Sequence, residues 1–385
     1  MKNSHTMNVL FYTTDLFAGR ERLMPWRTVI EVAKVMQEQG HRVLIANGVG
    51  DCDHVKSYSF QGVLIQSVSK KLENLVWLTK TMEADALFVE CKWRDALRGF
   101  APLKEVTCKK FAYFTGGVYD LQSAMRLSLL CGLWNGKAYW MESLVPKHWL
   151  AKKLKHAAFD GVIGLTGFTA DKAGEVGCPH VVTILPGKDS FEEIKSDESV
   201  VQKRGLKDKR FICFTGAPAP TRGAGLLLKA ADEAEVADLR VVFLMRTDVG
   251  SDYANFDMAY KRMKHKDRVV IVKETLSREQ LKAFFESAWY MALPFIVVPS
   301  EIPLTFFEIM SCGTPVLTFR NGGTSDYLKK GLLIADKSVK GLRVSLEKSW
   351  SDDALRAEKA ESAKRMMNGH PTWETVAKEW MDLIK

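Results

Sequence analysis

A chain of 385 residues exceeds one ordinary hydrophobic core, so two domains with a cleft between them are expected. Its 46% hydrophobic and 26% charged residues exclude extended disorder, and no apolar run approaches the roughly 20 residues that span a bilayer. The net charge of +9 leans to the N-terminal half, where residues 1–190 carry 24 Lys/Arg against 18 Asp/Glu; such a balance suits phosphorylated ligands, anionic lipid or nucleic acid, and equally suits plain solubility.

Residues 1–7 are polar and unlike a signal sequence, so a cytoplasmic protein is expected. Seven cysteines, at 52, 91, 108, 131, 178, 213 and 312, are odd in number and form no CxxC or Cys/His cluster; they read as reduced and structural, with no metal site. The apolar run 7–12, the helical spacing of 26–39, the stop at Gly40-His41-Arg42 and the run 43–46 make a strand–helix–strand unit of a parallel sheet. Further short apolar runs at 86–89, 111–114, 161–165 and 181–185 complete a first doubly wound domain over residues 1–187. After the charged stretch 188–210 a second series of strands follows at 211–215, 241–245, 269–272, 290–293 and 315–318, giving a second domain over 188–369; the terminal helix within 370–385 is expected to cross back to the first. The predicted class is α/β, two Rossmann-like domains facing a central cleft, with ligand at the carboxyl ends of the strands.

Three segments of the second domain carry candidate chemistry. Strand 211–215 runs into Gly216-Ala217-Pro218-Ala219-Pro220-Thr221-Arg222-Gly223 before a helix at 224–231; a glycine turn lets backbone N–H groups approach a phosphate, and Arg222 would neutralise it. Segment 293–315 reads as a strand, a loop with Glu301, a helix with Pro303 near its first turn and a stop at Gly313. The Pro303-Leu304-Thr305 turn, with unpaired N–H groups on Leu304 and Thr305 and the positive helix end, suits a diphosphate, Glu308 one turn inside suits ribose hydroxyls, and Glu301 suits the sugar. The third segment, Asn321-Gly322-Gly323-Thr324-Ser325-Asp326, reads as a loop whose paired glycines permit close approach to a ligand, and equally as an ordinary turn.

Taken in order, these segments resemble glycosyltransferase family 4 of the GT-B superfamily, whose members transfer a sugar from a nucleotide donor with retention of configuration. The family's phosphate loop matches Gly216, Arg222 and Gly223, with Ala217 in place of its first arginine. Of its paired glutamates the second aligns with Glu308, whereas the first falls on Ser300, one place before Glu301. Residues 309–317, Gly322-Gly323 with Asp326, and 331–334 continue the likeness, as do 157–166, 184–187 and the terminal helix 373–384. Where many members place a histidine near the transferred sugar, this chain has Thr115-Gly116-Gly117.

The resemblance implies a UDP- or GDP-linked sugar as donor substrate, with no metal or other cofactor, and electrostatic stabilisation of the leaving diphosphate. Arg222, Glu301 and Thr115 are then the catalytic candidates. Gly216, Arg222, Gly223, Glu301, Pro303, Leu304, Thr305 and Glu308 hold the donor, while Gly19, Arg20, Gly116 and Asp120 lie on the acceptor side. Residues 13–20 occupy the place of a loop that closes over both substrates, and they lack the G-x-G-x-x-G of a dinucleotide dehydrogenase. Residues 134–156 mix Trp134, Tyr139, Trp140 and Trp149 with Lys137, Lys147, Lys152, Lys153 and Lys155, which suits either an ordinary helix pair or peripheral contact with an anionic membrane and a lipid-linked or glycan acceptor. Two alternatives remain open: a catalytically silent scaffold or regulatory partner of the same fold, and a sugar-nucleotide epimerase. No nucleic-acid motif accompanies the basic charge.

Overall fold

The computed structural model describes residues 6–50, 56–131, 133–246 and 253–385. Residues 1–5 and Cys52 lie outside the described residues, as do the side chains of Cys131 and Trp134. Cys91, Cys108, Cys178, Cys213 and Cys312 are free thiols.

The N-terminal sheet contains β1 (Asn8–Thr14), β2 (Arg42–Val49), β3 (Ser57–Phe60), β4 (Val63–Ser69), β5 (Ala86–Cys91), β6 (Lys109–Phe114), β7 (Gly161–Gly164) and β8 (Val181–Thr183). Its order is β3-β4-β2-β1-β5-β6-β7-β8, parallel except for the β3–β4 hairpin. Six helices surround it: α1 (Trp26–Glu38), α2 (Glu73–Thr81), α3 (Leu121–Cys131), α4 (Leu133–Leu144), α5 (Lys147–His156) and α6 (Gly167–Glu175). The central strands are apolar on both faces because helices cover both, as in β5, all six residues of which are buried. The hairpin β3–β4 was not legible as strand: Tyr58 and Phe60 are only half-buried, and the pairing makes it a sheet edge.

The second unit starts with the short helix α7 (Ser199–Gln202) and alternates β9 (Ile212–Gly216), α8 (Ala224–Glu233), β10 (Val241–Met245), α9 (Ala254–Lys261), β11 (Val269–Lys273), α10 (Arg278–Ser287), β12 (Tyr290–Leu293), α11 (Leu304–Ser311), β13 (Val316–Phe319), α12 (Gly322–Leu328) and β14 (Leu332–Ala335). Its all-parallel order, β11-β10-β9-β12-β13-β14, is the doubly wound 3-2-1-4-5-6 arrangement, so the switch point lies between β9 and β12. Helices α13 (Val339–Ser351), α14 (Asp353–Asn368) and α15 (Trp373–Asp382) end the chain.

Helix α15 returns to the first domain, where buried Trp380 packs 5.0 Å from the Phe88 ring and 5.5 Å from Tyr113. The two crossings of the chain are tied together at the hinge: Lys188 N–H donates to Pro371 O at 3.0 Å, and His370 Nε2 donates to Pro186 O at 2.8 Å. Among the described residues no helix is long and apolar enough to cross a membrane.

Segment 321–326, expected as a ligand-facing loop, is instead the start of α12. Ser325 closes it by donating its backbone N–H to Asn321 O at 2.8 Å and accepting the Asn321 N–H at 2.7 Å. The paired glycines answer a different crowding: a Cβ on Gly323 would collide with Thr166 and Glu301, and one on Gly322 with the Phe168 ring. The first domain thus approaches them closely, and both glycines also border the large opening between the domains.

Candidate functional site

At the carboxyl end of β9 the chain leaves the sheet through Gly216 (φ 127°) and a single 3-10 turn, Pro220–Arg222, before Gly223 (φ 73°) starts α8. Gly223 is required twice, by its left-handed backbone and because a Cβ would strike the Pro294 carbonyl. Ile296 N–H donates to Thr221 O at 2.9 Å, so the loops after β9 and β12 form one unit across the switch point. Arg222 lies in that unit with its guanidinium 4.6 Å from the Phe295 ring centroid. Burial lowers its pKa, and among the described residues no carboxylate pairs with it.

After β12, Pro303 caps α11 and its carbonyl accepts the Phe306 N–H at 3.0 Å, leaving the N–H groups of Leu304 and Thr305 short of intrahelical acceptors. Glu301 is buried in the loop before it. The Thr166 hydroxyl, which caps α6 of the other domain, donates to the Glu301 carboxylate, and the Thr324 hydroxyl donates to the Glu301 carbonyl at 2.5 Å. Burial pushes the Glu301 carboxyl up, against the pull of the Thr166 hydrogen bond. Glu301 therefore joins the two domains as well as facing the cleft.

Glu308 meets a cation. Its Oε1 stands 3.7 Å from Arg27 Nη1, and Arg27 also grips Asp189 of the linker. Burial raises the Glu308 pKa while Arg27 opposes it. The space beside this cluster, bounded by Leu304, Phe307 and Gly187, is only about 10 Å³, room for about one water.

The large opening lies elsewhere: a cleft of about 820 Å³ between the 117–126 segment and the loops after β12, β13 and β14. Glu301 and Asp120 are the sequence-derived candidates that line it, and Gly116 adjoins it, with a Cβ there facing the Pro299 carbonyl at 3.9 Å. Asp120 loses solvation, yet the Ser123 N–H (2.6 Å) and O–H (2.9 Å) and nearby Lys337 hold its carboxyl below the ordinary range. Arg222, Gly216, Gly223, Pro303, Leu304, Thr305 and Glu308 are outside its lining. Gly19 and Arg20 are exposed in the β1–α1 loop, where Arg20 lies over the Phe17 and Trp26 rings at 5.1 and 5.7 Å.

Thr115 is buried and turns inward, donating to Glu90 at 3.0 Å. Glu90 is the residue that sequence reasoning missed at the first domain's switch point. It accepts from Thr13 Oγ1 (2.6 Å) and Thr14 N–H (2.7 Å) and pairs with Lys92 at 2.7 Å. Burial opposes its charge, but Lys92 and the threonines prevail and hold its pKa low. The available signal was a carboxylate inside the otherwise apolar strand ALFVEC. Arg27 and Lys337 were also missed, because their partners are far away in sequence, and Arg126, because the cleft it lines is assembled from distant segments.

On the side of the first domain that meets the second, Tyr139 packs edge-on against Tyr119 at 5.0 Å, Tyr119 donates its hydroxyl to Pro299 O at 2.8 Å, and Trp140 Nε1 donates to Ser128 Oγ at 2.6 Å. These two aromatics fasten α4 to its neighbours, whereas Trp149 is largely exposed.

Comparison with known proteins adds to this geometry. Residues 196–366, less than half of the chain, match the family model of glycosyl transferases group 1. No curated protein matches the chain. Among solved structures, sucrose-phosphate synthase from Thermosynechococcus elongatus superposes with a TM-score of 0.72 at 12% identity, covering 98% of both chains. A glycosyltransferase from Rickettsia africae gives 0.70 at 14% identity over 99% of this chain and 98% of that one. Anabaena HepE in complex with UDP and glucose gives 0.67 at 13% identity over 98% of both. At such identities the likeness speaks for the fold alone: the chain has the GT-B architecture, and its C-terminal unit is similar to the glycosyl transferases of group 1.

Proposed function

We propose that the protein is a retaining glycosyltransferase of the family 4 type, moving a sugar from a UDP- or GDP-linked donor to a glycan or lipid-linked acceptor in surface-glycan synthesis, without a metal. The observation that carries this reading is Arg222: a half-buried guanidinium that no carboxylate pairs with among the described residues, held at the switch point of the unit that matches the group 1 transferases. A diphosphate supplies the missing anion, and the Pro303-Leu304-Thr305 turn adds N–H donors nearby. Glu301 faces the transferred sugar, and Asp120 and Gly116 face the acceptor. Glu308 reaches ribose once Arg27 shares its hold.

The test is binding and turnover. UDP, GDP, ADP and their glucose, mannose and N-acetylhexosamine conjugates are screened by thermal shift and calorimetry, and the sugar released or transferred is followed by mass spectrometry. One preferred nucleotide sugar, bound by wild type and weakened in Arg222→Ala, supports the reading; no binding by any of them sinks it.

A second reading is a catalytically silent GT-B scaffold. It is favoured by two contacts: Thr115 is committed to Glu90, and Glu308 is committed to Arg27. Donor binding without turnover, under every acceptor supplied, would select it.

Attachment to the inner membrane face fits the same reading. Helices α3 and α4 leave Leu129, Leu133 and Leu144 exposed beside the lysines of α4 and α5, a pairing of apolar and basic groups that suits an anionic bilayer.

A further inference from the structure

Two cations in the large cleft belong to none of the donor-side segments. Arg126 lies on α3 of the first domain and Lys337 follows β14 of the second, and both line the same space. Among the described residues Arg126 has no ion pair, and its buried Nη1 has no hydrogen-bond acceptor. A buried guanidinium nitrogen left in that state is costly, which marks the position as one that a further group completes.

Lys337 Nζ donates to Ser123 Oγ at 2.7 Å and to Ile296 O at 3.3 Å, both uncharged. Burial lowers its pKa; Asp120 pulls the other way, and Arg126 adds to the lowering. Of the four carboxylates that line the space, Asp336 is exposed beside Lys337 and the other three already have partners. Asp120 takes the Ser123 N–H and O–H, Glu301 takes the Thr166 hydroxyl, and Asp326 stands 3.9 Å from Arg320. Lys337 also precedes Ser338, which caps the 13-residue helix α13 and lines the cleft, so the positive end of that helix adds to the field.

We propose that this end of the cleft is a phosphate site, with Arg126 and Lys337 as its cations, one from each domain. A phosphate there accepts hydrogen bonds from both side chains and relieves the repulsion between them. Because the cations come from opposite domains, the bound anion also holds the cleft closed. The phosphate belongs either to the nucleotide donor or to a phosphorylated acceptor; only this choice of source rests on the transferase reading, and the site itself does not.

The test uses pyrophosphate and inorganic phosphate as probes, with calorimetry on the full chain in wild type, Arg126→Gln, Arg126→Lys and Lys337→Met. Pyrophosphate is expected to bind wild type, to lose at least about tenfold in affinity in Arg126→Gln and in Lys337→Met, and to lose less in Arg126→Lys. UDP that binds Arg126→Gln as it binds wild type, alongside pyrophosphate, assigns the site to an acceptor phosphate. UDP that competes with pyrophosphate and weakens in the same variant assigns it to the donor. Unchanged pyrophosphate affinity in both charge-removing variants, or no binding of either probe to wild type, overturns the proposal. Near-UV circular dichroism checks each variant's fold, and Lys337→Met carries the test if Arg126→Gln does not fold. The transferase reading fails separately, by absence of UDP, GDP and ADP binding from a protein that still takes pyrophosphate.

Discussion

Arg27 Nη1 stands 3.7 Å from Glu308 Oε1 while the same guanidinium binds Asp189, so one side chain of α1 joins the linker and the helix that carries the candidate ribose ligand. Asp189 is further held by Arg278 at 2.7 Å and by Trp373 Nε1 at 2.9 Å. The cluster couples domain placement to the state of Glu308.

Removing Arg27 leaves two largely buried carboxylates short of their cation. Arg27→Met is expected to lower unfolding stability by roughly 2–4 kcal/mol, somewhat below the full cost of breaking a buried pair because the cluster keeps some solvent and Asp189 keeps Arg278. Urea denaturation of Arg27→Met, Glu308→Gln and the double variant measures the coupling. A double variant more stable than Arg27→Met alone is expected, since the amide that replaces the Glu308 carboxylate carries no charge to strand; strict additivity would mean that the pair does not interact.

Arg222 behaves differently because, among the described residues, no carboxylate pairs with it. Arg222→Ala should change stability by less than about 1.5 kcal/mol, since it forfeits stacking on Phe295 and some packing but no ion pair. Nucleotide affinity should fall about 10- to 100-fold, the worth of a charge-assisted contact. Equal UDP binding by both proteins would remove Arg222 from the donor site.

The contrast between these arginines shows what the sequence could and could not disclose. Strand runs such as 241–245 and 290–293 appear in the structure with those same limits, because parallel strands buried on both faces read as continuous apolar stretches. Gly223 and Gly313 were legible as turn and helix-stop positions, and both have positive φ. Arg222 stood in a recognisable loop. Arg27, Lys337 and Glu90 stood in no motif, and their meaning comes from partners on other elements; that of Arg126 comes from a cleft that only folding assembles. For Gly322-Gly323 the helix and the crowding by Thr166, more than 150 residues earlier, were hidden for the same reason, although both glycines do line the large cleft.

Two buried groups make opposite contributions to pH dependence. Burial lowers the His370 pKa to about 4, while burial raises the Glu142 pKa to about 7. Between about pH 4 and 6.5 the unfolded chain binds a proton at position 370 that the native ring refuses, so this group's stability is complete above 6.5 and is lost as pH falls. Between about 4.5 and 7 native Glu142 keeps a proton that the unfolded chain releases, so its contribution declines as pH rises. Each spans about 3 kcal/mol at most. His370→Gln should therefore lose stability on going from pH 5 to 7 relative to wild type, and Glu142→Gln should gain it. Urea midpoints at those two pH values check the signs, and parallel profiles for all three proteins would refute them.

Glu90 serves as a structural anchor for the ends of β1, β5 and β6. Thr115→Val removes one of its hydroxyl donors and should cost about 1 kcal/mol without altering nucleotide binding. Glu90→Gln also leaves Lys92 without its carboxylate and should cost more. If Thr115→Val abolishes transfer while leaving stability and donor binding intact, Thr115 acts in catalysis after all.

The exposed leucines of α3 and α4 give the membrane proposal a sharp form. Leu129, Leu133 and Leu144 are 88%, 74% and 64% exposed, so their substitution should hardly disturb the core. Burying such a side chain in the acyl boundary contributes about 1–2 kcal/mol, so Leu129→Ser and Leu133→Ser should each lower vesicle partitioning about five- to thirtyfold. Co-sedimentation with phosphatidylglycerol-containing vesicles reads this directly. Lys152, Lys153 and Lys155 on α5 make the binding electrostatic as well, so it should weaken when salt rises from about 0.05 to about 0.5 M and on neutral phosphatidylcholine. UDP affinity in solution should stay unchanged in both serine variants, since neither leucine lines the cleft. Partitioning that is indifferent to both the leucines and the lipid charge would leave these helices as an ordinary solvent face.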